Sequence, residues 1–152
     1  MKRIIYILLL SLLTGSFTQA QSFKLPAYQK FTLKNGLTVY LMEQHEVPII
    51  SVSAILPAGA IYDGEKSGLA SLTATALKHG TKNYNKEKLD NELDFLGASI
   101  NSFASKESAG LSARMAAKDK DKVMLLLKEI MLEPVFDSTE FGKEKKRLLV
   151  SL

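Results

Sequence analysis

Apolar and polar residues alternate along KFTLKNGLTVYLMEQ, Lys30 to Gln44, on both sides of Asn35-Gly36. A period of two marks a strand with one covered face, and Asn-Gly readily adopts the positive φ values of a tight hairpin turn. The pattern predicts two antiparallel strands, near 30–34 and 37–44. A third strand is predicted in PIISVSAILPAGA, with Ile50, Val52, Ala54 and Leu56 on one face and Pro57 and Gly59 closing it.

From Lys66 to Lys78 the period changes. Leu69, Leu72, Ala76 and Leu77 recur at spacings of three and four, which predicts a helix with a narrow, small-residue surface ending at Gly80. A second helix is predicted from an Asn85 N-cap through KEKLDNELDFL, with Leu89, Leu93 and Leu96 on one side and a stop at Gly97. Residues 98–104 and 108–116 alternate weakly and are expected to pair as strands across SKES. A third helix follows in DKDKVMLLLKEIMLE and is ended by Pro134. A fourth begins near Asp137 or Ser138 and runs on without a stop signal, so Leu148, Leu149, Val150 and Leu152 are expected to find nothing in this chain to pack against. The expected fold is an α+β domain, helices on one side of a mostly antiparallel sheet, incomplete at its C-terminal end.

Composition narrows the picture. At 152 residues, 46% hydrophobic and 24% charged, the chain is ordinary globular material within the size of one domain. Lys2 and Arg3 precede the run IIYILLLSLL and a stretch ending Thr18-Gln19-Ala20, the pattern of a secretory signal over residues 1–20, leaving a domain over 21–152. That run is far shorter than the ~20 apolar residues of a spanning helix, so no membrane span is expected after signal removal. Of 20 basic residues two lie in the leader, and against 16 acidic residues the balance falls near +2, which does not point to nucleic acid. The absence of cysteine excludes disulfides, thiolate metal sites and thiol catalysis. An exported chain without disulfides fits a bacterial periplasm.

Four segments, in this order and spacing, resemble the N-terminal domain of the pitrilysin/insulinase family of zinc metallopeptidases. They are FTLKNGLTVYLMEQHEVPIISVSAILPAGAIYD, the GLA helix ending in Gly80-Thr81, LDNELDFLGASINSFASKE, and EPVFDSTEF. In active members the GLA helix carries the inverted motif H-x-x-E-H. Histidines four apart share a helix face and can bind one zinc, and the glutamate beside the second acts as general base to the metal-bound water.

Laid against that motif, GLASLTATALKHGT places Ser71 at the first histidine, Ala74 at the glutamate and Thr75 at the second histidine. The acidic ligand that the family supplies from a later helix would fall at Val150, Ser151 or Leu152, none of which is acidic. Short neutral hydroxyls are poor substitutes for imidazole on zinc. Of the two histidines, His45 falls in the loop after the second strand. His79, four residues past Thr75, is read as a surface residue favoured by the helix C-terminal dipole. Ser71, Thr73 and Thr75 have no adjacent base, so they are read as small packing residues rather than nucleophiles. The lysines at 118, 120, 122, 143, 145 and 146 and Arg147 alternate with acids, as on solvated helix faces.

The resemblance implies a non-catalytic subunit that pairs with an active homologue as a heterodimer and helps enclose a peptide-degrading chamber, with zinc only in the partner. An exported peptide-binding or scaffold protein without proteolysis is the alternative, bracing an assembly as the core subunits of a respiratory complex do. Peptide hydrolysis by the chain itself rests on the family label alone. The resemblance also implies that the strand around Asn101 and Ser102 lies at a cleft edge where a peptide can add as a further strand. A plain edge covered by another domain is the other reading of that strand.

Overall fold

A computed structural model describes residues 26–150; the leader expected over 1–20, and Ser151 and Leu152, lie outside the described residues. The chain forms two units, a small one ending at Gln44 and a larger one beginning at His45.

The small unit is the expected hairpin. β1 (Gln29–Thr32) pairs antiparallel with β2 (Thr38–Leu41), from Gln29 opposite Leu41 to Thr32 opposite Thr38. Both strands are shorter than the alternation predicts, because the connection is longer than two residues. Leu33 N–H donates to Leu37 O at 2.8 Å and Gly36 N–H to Leu33 O at 2.9 Å, leaving Lys34, Asn35 and Gly36 as the loop. Gly36 stands at φ +86°, the left-handed residue that closes a three-residue hairpin loop after a type I turn.

The larger unit holds a three-stranded antiparallel sheet in the order β3 (Ile49–Leu56), β5 (Ala109–Ala116), β4 (Ser99–Ala104). Among the described residues the antiparallel strands form two sheets, of two and three strands. Alternation sorts the faces. Ile100, Leu111, Ala113 and Met115 are buried, whereas Ser99, Asn101 and Arg114 on the opposite face are exposed. Ile50 and Val52 of β3 add to the covered side, as their spacing predicts.

Helices pack on that covered face. α1 is Leu69–Ala76, α2 is Lys86–Phe95, α3 is Lys120–Leu132 and α4 is Ser138–Val150. The core joins Leu89 and Leu93 of α2 and Val123, Leu126, Leu127 and Ile130 of α3 to the inner residues of β4 and β5. Each such side chain contributes about 1.5–3 kcal/mol by leaving water.

Helix ends follow the local sequence. Asn85 Oδ1 accepts from Lys88 N–H at 2.9 Å, as an N-cap should. Past α2, Gly97 N–H donates to Asp94 O at 3.0 Å and Ala98 N–H to Leu93 O at 2.9 Å, with Gly97 at φ +57°, the paired bonds of a Schellman stop. Asp137 Oδ1 accepts from Thr139 N–H and Glu140 N–H, both at 3.0 Å, and so starts α4. Among the described residues no helix is long and apolar enough to cross a membrane.

Candidate functional site

α1 is the helix on which the family chemistry would stand, and a carboxylate that spacing did not single out fixes its start. Asp63 Oδ2 accepts from Gly68 N–H and its Oδ1 from Ala70 N–H, both at 2.8 Å. These bonds satisfy amides that the first helical turn leaves without partners and set a negative charge at the positive end of the helix. Asp63 is in turn held by the short turn Ala60–Tyr62, whose Ala60 and Ile61 N–H groups donate to Ser105 O and Lys106 O at 2.9 and 3.0 Å. The YDG word carries the only signal for this residue, an aspartate a few positions before a helix start.

α1 is shorter than the predicted 66–78. It ends at Ala76, and Gly80 does not cap it: Gly80 instead bridges Asn85 and accepts from Val135 N–H at 3.2 Å. The helix packs through Ala74 and Ala76, which are 5% and 1% exposed, whereas Ser71 and Thr75 are open to solvent. The tightest packing thus runs through the two alanines, with Thr73 half-buried, while Ser71 and Thr75 face α4 and stay more exposed. The Thr75 hydroxyl donates to Ser71 O at 3.0 Å, within its own helix.

Opposite Ser71 and Thr75 stands α4, which packs on α1 with Glu144 and Leu148 half-buried on the facing side. A cavity of about 210 Å³ between the helices is lined by Ser71, Leu72, Thr75, Glu144, Arg147 and Leu148. Leu148 is half-buried, 3.5 Å from where a Cβ on Gly68 would lie, so it does find a partner. Leu149 and Val150 stay 62% and 88% exposed. Arg147 Nη1 donates to Glu144 Oε1 at 2.8 Å.

His79 is not a surface residue. It is 7% exposed, and its Nε2 lies 3.7 Å from Glu144 Oε1. That carboxylate comes from α4, which spacing along α1 could not reveal. His79 Nδ1 is buried without a hydrogen-bond partner among the described residues. One imidazole and one carboxylate fall short of the three or so protein ligands zinc requires. Among the described residues no three His, Cys, Asp or Glu side chains are grouped to hold a metal ion. Ser71, Ala74, Thr75 and Val150 offer no imidazole or carboxylate, so the residues present do not fit the family's zinc.

Asn101 and Ser102 sit on β4, an outer strand of its sheet, bonded to β5 on one side. Asn101, opposite Ser112, is exposed on the face away from the helices. Ser102, opposite Leu111, is half-buried on the helix side. α1 packs against this strand, so the motif helix and the strand edge are neighbours. On the β3 and β5 side of α1 lies an apolar cavity of about 390 Å³, with Leu56, Leu69, Ala74, Leu77, Leu111 and Met131 in its walls.

Residues 38–151 match the model of the insulinase family, peptidase family M16. The mitochondrial cytochrome b-c1 complex subunit 1 of Bos taurus is 30% identical over 142 residues, which cover 92% of this chain and 29% of the bovine protein. The mitochondrial-processing peptidase subunit beta of Rattus norvegicus is 28% identical over 128 residues, covering 82% of this chain and 25% of the rat protein. Both relatives are subunits of larger assemblies. This chain spans less than a third of either. In structure it is similar to an inactive peptidase M16 domain from Pseudomonas fluorescens, with a TM-score of 0.79 and 24% identity over 82% of this chain and 31% of that one. Since the family match runs through β2, the three-stranded sheet and all four helices, the chain belongs to the insulinase family, peptidase family M16.

Proposed function

We propose that this chain is the non-catalytic member of a two-subunit exported peptidase, in which an active homologue carrying H-x-x-E-H supplies zinc and cutting chemistry. The observation that carries the reading is the state of the motif face of α1. Ser71 and Thr75 present hydroxyls where imidazoles would stand, Ala74 is buried where the base would stand, and the Thr75 hydroxyl is turned back onto Ser71 O. Such a face can form part of a chamber wall but cannot activate water. Relatives that are themselves subunits support the pairing, and the leader pattern over residues 1–20 supports export.

A second reading, an exported peptide-binding or scaffold protein with no proteolytic partner, is favoured by one observation. β4 has a free outer edge within its sheet, and backbone pairing of an extended peptide needs that edge rather than a metal. Hydrolysis by this chain itself rests on the family label, with no group of three His, Cys, Asp or Glu side chains among the described residues to carry it.

Metal analysis and peptidase assay on the purified chain test the first reading. It expects no stoichiometric zinc and no cleavage. One tightly held zinc per chain, lost on His79→Ala, would overturn it.

A further inference from the structure

We propose that Asn35-Gly36 is a site of spontaneous deamidation, and that the modification loosens the β1–β2 hairpin. In this reaction the Gly36 main-chain nitrogen attacks Asn35 Cγ. An N–Cγ bond forms, the bond from Cγ to the side-chain nitrogen breaks, and ammonia leaves with the proton given up by Gly36. Water then opens the succinimide at either carbonyl and leaves an aspartyl or an isoaspartyl residue at position 35. Solvent water is the only co-reactant.

Three features direct the reaction here. Asn35 and Gly36 are both exposed at the tip of a loop, so water reaches every atom involved. Gly36 has no side chain to hinder attack by its own nitrogen. The hairpin around it is solvent-exposed on nearly every residue of both strands, and a two-stranded hairpin is marginally stable by itself. Two hydrogen bonds oppose the reaction while the turn is closed. Gly36 N–H is held by Leu33 O at 2.9 Å and Asn35 Oδ1 by Leu37 N–H at 3.1 Å. Reaction therefore proceeds through fraying of the turn, which frees both groups together.

The protein contains its own control. Asn101 precedes Ser102, a small residue that hinders attack little, but both sit in the β4 ladder opposite Ser112 and Leu111. The extended, paired backbone keeps the Ser102 nitrogen away from Asn101 Cγ. Asn83, Asn85 and Asn91 are followed by Tyr84, Lys86 and Glu92, whose side chains crowd the attacking nitrogen. An isoaspartyl link adds a methylene to the main chain inside the loop. The Leu33–Leu37 closure then loses its geometry, and the pairing of Thr32 with Thr38 beside it weakens.

The test is ageing of the full chain at neutral pH and physiological temperature, followed by peptide mapping with mass detection and an isoaspartate assay. Conversion is expected first at Asn35, faster in denaturant than in buffer, and absent in Asn35→Gln. Amides of residues 29–41 should exchange faster in the aged protein than in the fresh one. Failure of Asn35 to convert in buffer while the denatured chain converts would overturn the proposal. So would conversion of Asn101 at an equal rate, or conversion of Asn35 with unchanged exchange in the hairpin.

Discussion

The Thr75 hydroxyl donates to the carbonyl oxygen of Ser71 at 3.0 Å, so the two positions that the resemblance sets against metal-binding imidazoles are tied to each other through their own helix. Restoring the motif by Ser71→His, Ala74→Glu and Thr75→His puts two imidazoles and a carboxylate back on α1. It does not supply the later acidic ligand, because Val150 and its neighbours Ser151 and Leu152 are neutral. It also forces a glutamate into the buried site of Ala74, which is 5% exposed. The triple variant is expected to bind zinc weakly and to be less stable than the parent, since ligand geometry depends on supporting partners that are absent here. Titration calorimetry checks this, and tight one-to-one zinc binding with full stability would contradict it.

Asp63 holds α1 through two amide bonds of 2.8 Å. Asp63→Ala is expected to cost about 1.5–3 kcal/mol, the range for hydrogen bonds to a charged group. Asp63→Asn keeps one acceptor and should cost less. Denaturant unfolding of both variants orders them, and an Ala variant as stable as the parent would remove Asp63 from the account.

Leu126 is fully buried between α3 and the sheet, whereas Leu149 is 62% exposed on α4. Leu126→Ala is expected to lose about 2–5 kcal/mol through lost burial and a residual cavity. Leu149→Ala should stay within about 0.5 kcal/mol of the parent. Equal effects of the two would place the core elsewhere.

The Glu140 carboxyl is held below the usual carboxylate range, first by the hydrogen bond from Lys143 Nζ at 2.6 Å. The folded state therefore binds this proton less readily than the unfolded chain. The stabilisation is present above the ordinary carboxylate range and is lost as pH falls through the depressed folded value. The pair is open to solvent, so the effect is small and salt-sensitive. Thermal unfolding should show Glu140→Gln slightly less stable than the parent near neutrality, with the gap closing in acid. A gap that widens in acid would reverse the assignment.

Elements whose cause is local were legible in the sequence. Asn85 and Gly97 bracket α2 because a side-chain cap and a left-handed stop act within a few residues. The period of two over 109–116 marks β5 because one of its faces is buried. What long-range pairing decides was not legible. Gly80 resembles a helix stop, yet its bridge to Asn85 and its bond from Val135 take it into a different turn. His79 looks solvent-facing by its place near a helix end, but α4 returns and covers it, bringing Glu144 within 3.7 Å. Asp63 caps a helix five and seven residues away through a loop held by the β4–β5 turn, and no short spacing rule reports that.

Pairing with an active homologue separates the two proposed functions. Affinity capture of the protein from native cell extract, with proteins identified by mass spectrometry and peptidase activity assayed with and without chelator, tests it most directly. Pairing predicts a second insulinase-family chain with an intact H-x-x-E-H helix in stoichiometric amount, and chelator-sensitive cleavage in the eluate. Recovery of this protein as a single species, with no zinc-bearing homologue and no peptidase activity, would contradict it and leave the peptide-binding or scaffold reading in its place.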